Sequence, residues 1–230
     1  MKTIGLIGGM SWESTMTYYQ IINTVIKEEL GGLHSARCVL YSVDFDEIEA
    51  CQTRGDWQRS AGILADAARR LERAGADFFL ICTNTMHKVA PAVRRAVTIP
   101  LLHIAEVTAD ELLRQGIRRV GLLGTRYTME QDFYKSALTE RGLEVLVPQE
   151  MDQEMVHRVI YDELCCGIRA EQSRREYREV AARLADRGAQ GIILGCTEIG
   201  LLLGQEDASV PLFDTAYLHA RRGALESIGK

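Results

Sequence analysis

A chain of 230 residues is long enough to bury a sizeable core, either as one large α/β domain or as two small ones. Its formal net charge of -5 and pI near 5.6 argue against the concentrated Lys and Arg of a phosphate-backbone binder, so nucleic acid is not an expected partner. The opening Met1-Lys2-Thr3-Ile4-Gly5-Leu6-Ile7 lacks a signal-peptide h-region and no stretch reaches transmembrane length, so no membrane association is expected and the cytoplasm is the expected compartment.

Thr3 to Ile7 reads as an apolar strand that runs into Gly8-Gly9. From about Ser14 the spacing of Met16, Tyr19, Ile22, Val25, Ile26 and Leu30 predicts a helix. Such a strand-Gly-helix opening offers backbone N–H groups to an anion, a carboxylate as well as a phosphate. The stretch Gly5-Leu6-Ile7-Gly8-Gly9-Met10 does not match GxGxxG, which makes a dinucleotide site a weak reading. Cys38 to Val43 is the second strand, and Asp44 to Trp57 after it is polar and irregular, with Gln52, Thr53 and Arg54 near its centre. A helix from about Gln58 to Ala74 carries Ile63, Leu64, Ala67, Ala68 and Leu71 on one face and ends at Gly75. The apolar run Phe78 to Leu80 is too short for a helix and reads as a buried strand ending in the polar turn Ile81-Cys82-Thr83-Asn84-Thr85-Met86-His87. Pro91 lies in the first turn of the next helix, and Leu101 to Ile104 is a strand.

The second half continues the alternation. A helix from Glu106 to Gln115 precedes the strand Arg119 to Leu123, which ends in Gly124 with Thr125 and Thr128 beyond it. A helix from about Met129 to Glu140, the strand Leu143 to Val147, a helix around Val156 to Leu164 and a charged helix from Ala170 to Asp186 follow. The strand Gly191 to Leu194 opens into the turn Gly195-Cys196-Thr197-Glu198, and Val210 to Phe213 and a C-terminal helix complete the chain. Alternating β and α implies parallel sheet with helices on both faces, and ligands bind outside the carboxyl ends of such strands. The two halves repeat one order of parts at nearly the same spacing. A duplicated fold accounts for this, and a single doubly wound sheet is the alternative.

Six cysteines are too few and too irregular for a disulfide scaffold, and neither they nor the five scattered histidines show metal-ligand spacing, so no metal is expected. Cys38, Cys51, Cys165 and Cys166 read as small buried apolar residues. Cys82 and Cys196, at strand ends, are candidates for chemistry, because N–H dipoles or a nearby base can turn a thiol into a base or nucleophile. Asn84, Thr85 and Thr197 are the groups expected to hold a carboxylate or ammonium. Arg54 would pair with a distal carboxylate, or stand as a solvated loop arginine. His87 reads equally as a helix-start histidine satisfied by backbone, and Glu198 as a helix cap.

Taken in order and spacing, Gly5-Leu6-Ile7-Gly8-Gly9-Met10-Ser11, Thr83-Asn84-Thr85-Met86-His87, Gly121-Leu122-Leu123-Gly124-Thr125 and Gly195-Cys196-Thr197-Glu198 resemble the aspartate/glutamate racemase family. The resemblance runs from end to end of the chain. It implies two pseudosymmetric α/β domains, each with a mostly parallel sheet flanked by helices, and an active site in the cleft between them. It also implies a homodimer and racemisation of a small amino acid without pyridoxal phosphate or any other cofactor. The domains expected are residues 1–100 with 212–230, and 101–211. In the family, one strand-end cysteine removes the α-proton and another protonates the opposite face. Here the register of Asn84, Thr85 and His87 puts Thr83 where the first cysteine belongs, with Cys82 one residue early and pointing into the sheet packing. A bulge would instead turn Cys82 inward. The resulting expectation is a racemase of aspartate or glutamate with Cys196 as base, Thr83 opposite it, and Met10, Gln52, Asn84, Thr85, Thr125, Thr197 and Glu198 around the substrate. Maleate isomerisation, hydantoin racemisation and arylmalonate decarboxylation are the alternatives within the superfamily, and a non-catalytic two-lobed amino-acid binder is the alternative outside it.

Overall fold

Strand β1 (Ile4–Gly8) is buried at every position, as expected of the interior strand of a parallel sheet covered on both faces. It pairs in parallel with β2 (Cys38–Ser42) on one side and β3 (Phe78–Ile81) on the other, and β3 pairs with β4 (Leu101–Leu102), giving the order β2-β1-β3-β4. A second parallel sheet has the order β6-β5-β7-β8, formed by β5 (Arg119–Gly124), β6 (Glu144–Leu146), β7 (Ile192–Gly195) and β8 (Leu212–Asp214). The two sheets share one permutation, which is the duplicated architecture read from the sequence. This computed structural model describes all 230 residues.

The chain divides into two compact units, Met1–Ile104 with Ala216–Lys230, and Ala105–Thr215. Leu101–Leu102 pairs in the first sheet and Leu212–Asp214 in the second, so each lies in the opposite half from the one that sequence boundaries at 100 and 212 would give it. In the first unit, α1 (Trp12–Leu30) covers one sheet face together with α10 (Thr215–Ser227), whose Ala216, Ala220 and Ala224 share a core cluster with Ile4, Leu6, Tyr18 and Ile22. The other face is covered by α2 (Phe45–Arg54), α3 (Trp57–Arg73) and α4 (Ala90–Arg94), with Leu64, Ala67, Ala68 and Leu71 of α3 packed on Ile7, Phe79 and Ile81. The second unit contains α5 (Ile104–Arg114) beyond its first residue, α6 (Arg126–Glu130), α7 (Asp132–Thr139), α8 (Glu150–Asp162) and α9 (Glu171–Asp186). Its largest core cluster joins Val156, Val159 and Ile160 of α8 and Tyr177, Val180 and Leu184 of α9 to Leu123, Ile192 and Leu194. No helix is long and apolar enough to cross a membrane.

Two local expectations are corrected. The segment expected to be irregular between Asp44 and Trp57 is largely helix α2: Asp44 caps it by accepting from Asp46 N–H, Ile48, Cys51 and Gln52 are buried, and Gly55 ends it in the left-handed region at φ 70°. On α1 the buried stripe is Ser14, Thr15, Tyr18, Ile22, Val25 and Ile26, whereas Met16, Tyr19 and Leu30 are exposed. The helical period was legible, but the choice of buried face depends on what packs against it.

Candidate active site

Apart from Gln52 and Arg54, which lie on α2, the groups singled out by the sequence lie at or just after strand ends, and each unit supplies its own set. In the first sheet the ladder persists to Cys82, whose N–H donates to the Ile7 carbonyl at 2.9 Å. Phe78, Leu80 and Cys82 therefore face the same way, and Cys82 is fully buried in the cluster of Ile4, Leu6, Tyr18 and Ile22. Burial pushes its thiol far above the ordinary range, so it stays protonated. Thr83 leaves the ladder, with its N–H turned back to the Ile81 carbonyl at 2.8 Å, and it is half-buried. Asn84 and Thr85, immediately after it, are buried.

Met10 and Met86 share the core cluster on the α3 face, and Gln52 donates its Nε2–H to Met86 Sδ at 3.2 Å. The structure thus gathers Met10, Gln52 and the Thr83–Met86 turn at one end of the first sheet. Gln52 arrives there from the buried side of α2, not from a polar loop, while Arg54 at the end of that helix faces solvent. The glycine turn differs from the expected anion cradle. Gly9 has φ +89°, and a Cβ there would lie 2.2 Å from the Val43 carbonyl oxygen, so a side chain would clash. Its N–H donates to Thr15 Oγ1 at 2.9 Å, and Ser11 Oγ accepts from Ser14 N–H at 3.3 Å, so these donors serve the turn and the start of α1.

In the second sheet, Gly124 of β5 and Gly195 of β7 are direct neighbours, and a Cβ on Gly195 would lie 2.8 Å from the Leu123 carbonyl oxygen. The lack of side chains lets the two strand ends approach, and the next residues, Thr125 and Cys196, leave adjacent strands. Thr125 caps α6, its Oγ1 accepting from Thr128 N–H at 3.4 Å and lying 3.2 Å from Thr128 Oγ1. Cys196 is buried, and its Sγ–H donates to Glu198 Oε2 at 2.9 Å. The Thr197 hydroxyl donates to the same oxygen at 2.8 Å. Glu198 is therefore the partner of the thiol, while the 3-10 turn Ile199–Leu201 that follows has no side-chain cap. Burial, and then the negative charge of Glu198, push the Cys196 thiol well above its ordinary range. The resting group is a thiol with a proton acceptor already in hydrogen-bond contact. That arrangement can pass the thiol proton to carboxylate when substrate approaches.

Sequence reasoning treated the histidines singly, and the fold joins three of them in the first unit. The His87 ring centre lies 4.4 Å from that of His103 and 5.9 Å from that of His219. His219 Nε2–H donates to the Leu102 carbonyl at 2.9 Å, and the Tyr18 hydroxyl lies 2.9 Å from its Nδ1. Burial lowers the His219 pKa to about 4, so it is neutral near neutral pH. No local pattern announces this cluster, because its members come from distant parts of the chain.

The family model described as Asp/Glu/Hydantoin racemase matches residues 7–223. The chain is 23% identical over 229 residues to the broad specificity amino-acid racemase of Bacillus subtilis (strain 168), covering 93% of this chain and 92% of that one. A solved Yersinia pestis protein assigned to the Asp/Glu racemases shares 56% identity with a TM-score of 0.93, covering 99% of this chain and 100% of that one. An aspartate racemase homologue from Pyrococcus horikoshii OT3 shares 38% identity with a TM-score of 0.85, over 99% of this chain and 100% of that one. With strand-end thiol, hydroxyl and carboxylate groups on paired four-stranded parallel sheets, and a family match over nearly its whole length, this chain belongs to the Asp/Glu/hydantoin racemase family.

Proposed function

We propose that the protein interconverts the enantiomers of aspartate or glutamate without cofactor or metal, with Cys196 removing the α-proton of the L-form and Thr83 serving the opposite face. Family membership makes it an isomerase of the amino-acid racemase type; the acidic substrate and the assignment of faces are our reading. The observation that carries it is the Cys196 Sγ–H···Glu198 Oε2 contact of 2.9 Å. Glu198 accepts the thiol proton as the thiolate takes the α-proton, leaving a carbanion delocalised into the substrate carboxylate. The Thr83 hydroxyl then gives its proton to the other face and is reprotonated from solvent, while Glu198 releases the thiol's former proton to solvent and Cys196 keeps the α-proton, which returns every group to its starting state. Met10, Gln52, Asn84, Thr85, Thr125 and Thr197 are assigned to the substrate's surroundings, with Thr197 also steadying Glu198 through its 2.8 Å hydrogen bond. A cytoplasmic homodimer completes the proposal.

Incubation of the protein with a panel of single-enantiomer amino acids, followed by chiral chromatography, tests the substrate class. Inversion of aspartate or glutamate is expected to exceed that of neutral and basic amino acids. Equal or faster inversion of the latter would replace the acidic assignment with a broad one.

Glu198 supplies a further prediction with opposed signs. Glu198→Gln removes the charge that helps to raise the Cys196 pKa, so thiolate should appear at lower pH in an ultraviolet titration than in the wild type. The same change removes the acceptor of the thiol proton, and the rate of α-proton exchange is expected to fall about 100-fold. A rate that rises along with the thiolate fraction would show Glu198 to be only an electrostatic burden on the thiol. Because the wild-type thiol is raised, the thiolate fraction grows as pH increases, and kcat/KM is expected to climb above neutrality.

A further inference from the structure

Within the racemase reading, the direction of the Thr83 hydroxyl decides whether a proton reaches the second face. The structure shows what holds that residue. Cys82 is the last residue tied into the ladder, and Thr83 turns away from it. The peptide that follows Thr83 is gripped by one side chain: His87 Nδ1 lies 2.8 Å from the Thr83 carbonyl oxygen. A carbonyl only accepts, so Nδ1 carries the hydrogen. The other ring nitrogen, Nε2, accepts from Ile104 N–H at 3.3 Å. Both contacts are possible together in one form of the ring only, the neutral Nδ1–H tautomer.

The surroundings favour that form. His87 is buried, and burial, followed by the neighbouring His103 and His219 and more weakly Arg94, lowers its pKa well below the ordinary histidine value. The ring is packed edge-on to His103 and His219, and His219 is itself held by Tyr18 and the Leu102 carbonyl. These two hydrogen bonds tie Ile104 N–H to the peptide plane that follows Thr83, and holding that plane restricts rotation of Thr83 about its Cα–C bond and with it the direction of Cα–Cβ.

We infer that His87 is a positioning residue for the second proton transfer: its neutral Nδ1–H tautomer fixes the Thr83 carbonyl and so aims the Thr83 hydroxyl. The inference rests on the racemase reading above. Asparagine at this position places an amide N–H near the site of Nδ1, whereas glutamine reaches toward the site of Nε2 and leaves the Thr83 carbonyl without its donor. The measurement is the ratio of inversion to deuterium exchange with retention, starting from L-aspartate and L-glutamate in deuterated water. His87→Asn is expected to stay within about threefold of the wild-type ratio. His87→Gln is expected to lower it about tenfold or more while exchange itself is kept, since misplacement of a reacting group carries penalties of this order. A merely structural role would lower exchange and inversion in proportion in both variants, and that result would overturn the inference, as would an unchanged ratio in His87→Gln. Nitrogen-15 NMR of histidine-labelled wild-type protein gives a test that needs no variant. A neutral Nδ1–H signal for His87, persisting in mildly acidic buffer, is expected, and an Nε2–H tautomer or an imidazolium there would refute the assignment. Failure of the racemase reading itself looks different, because the wild-type protein would then exchange no α-proton at all.

Discussion

Replacement of Cys196 by serine is expected to abolish both α-proton exchange and inversion, with a loss of at least about 1,000-fold. A thiol ordinarily ionises at about pH 8.5, and the burial and the Glu198 charge that raise it here would act in the same direction on an alcohol in its place, which starts as a far weaker acid. Serine keeps the volume and the hydrogen bond to Glu198 but cannot present a comparable base. The contrast with a structural role is sharp, because Cys196 sits in a core cluster that serine fits with little change in volume. A small shift in melting temperature together with complete loss of exchange is therefore the expected pair of results. Exchange retained near the wild-type rate in Cys196→Ser, in a folded protein, would remove Cys196 from the chemistry, whereas a binding module would show no exchange in either protein and an amino-acid affinity that Cys196→Ser leaves nearly intact.

The second large effect is an asymmetry between the faces. The enantiomers have equal free energy, so the two directions of racemisation must share one kcat/KM, and the asymmetry has to appear elsewhere. Cys196 can remove the α-proton of the L-form and return a deuteron to the same face, which gives exchange with retention. The D-form has only Thr83 on its side, and an alkoxide there is far less accessible than a thiolate, each pK unit of mismatch amounting to about 1.4 kcal/mol. Exchange with retention from L-aspartate or L-glutamate is therefore expected to outrun inversion by about tenfold or more, whereas the D-form should show almost no exchange beyond its own conversion. Thr83→Cys should raise D-side exchange and inversion together. Cys82→Ala should leave L-side exchange unchanged and cost about 1 kcal/mol of stability, as expected for a small deletion in the cluster that buries Cys82. Equal exchange from both enantiomers in the wild type, lost in Cys82→Ala, would make Cys82 the second base and overturn the register drawn from Asn84, Thr85 and His87.

Local pattern carried the architecture of this protein. Short apolar runs bounded by glycine and separated by helical periods are decided by neighbours within a few residues, and they were enough to place β1, β3, β5 and β7 and the polar turns at their ends. The same patterns carried the repeat of strand, glycine turn and helix that the two equal sheet orders display. Tertiary structure decided what depends on partners distant in sequence. Its helices cover both sheet faces, so the buried stripe of α1 had to be chosen by α10 and the sheet, and the polar surface of α2 concealed the burial of Gln52 beside Met86. The strand read over Leu101 to Ile104 is only Leu101–Leu102 in the fold, and its pairing with β3, which no local pattern fixes, puts it in the first unit. Direction at the first turn was foreseeable from the alternation of a strand, since Cys82 follows Phe78 and Leu80 on one face. The grip on Thr83 was not foreseeable: it needs the His87 tautomer, which is set by the Thr83 carbonyl and the Ile104 N–H, in a ring packed against His103 and His219, groups that only the folded chain brings together.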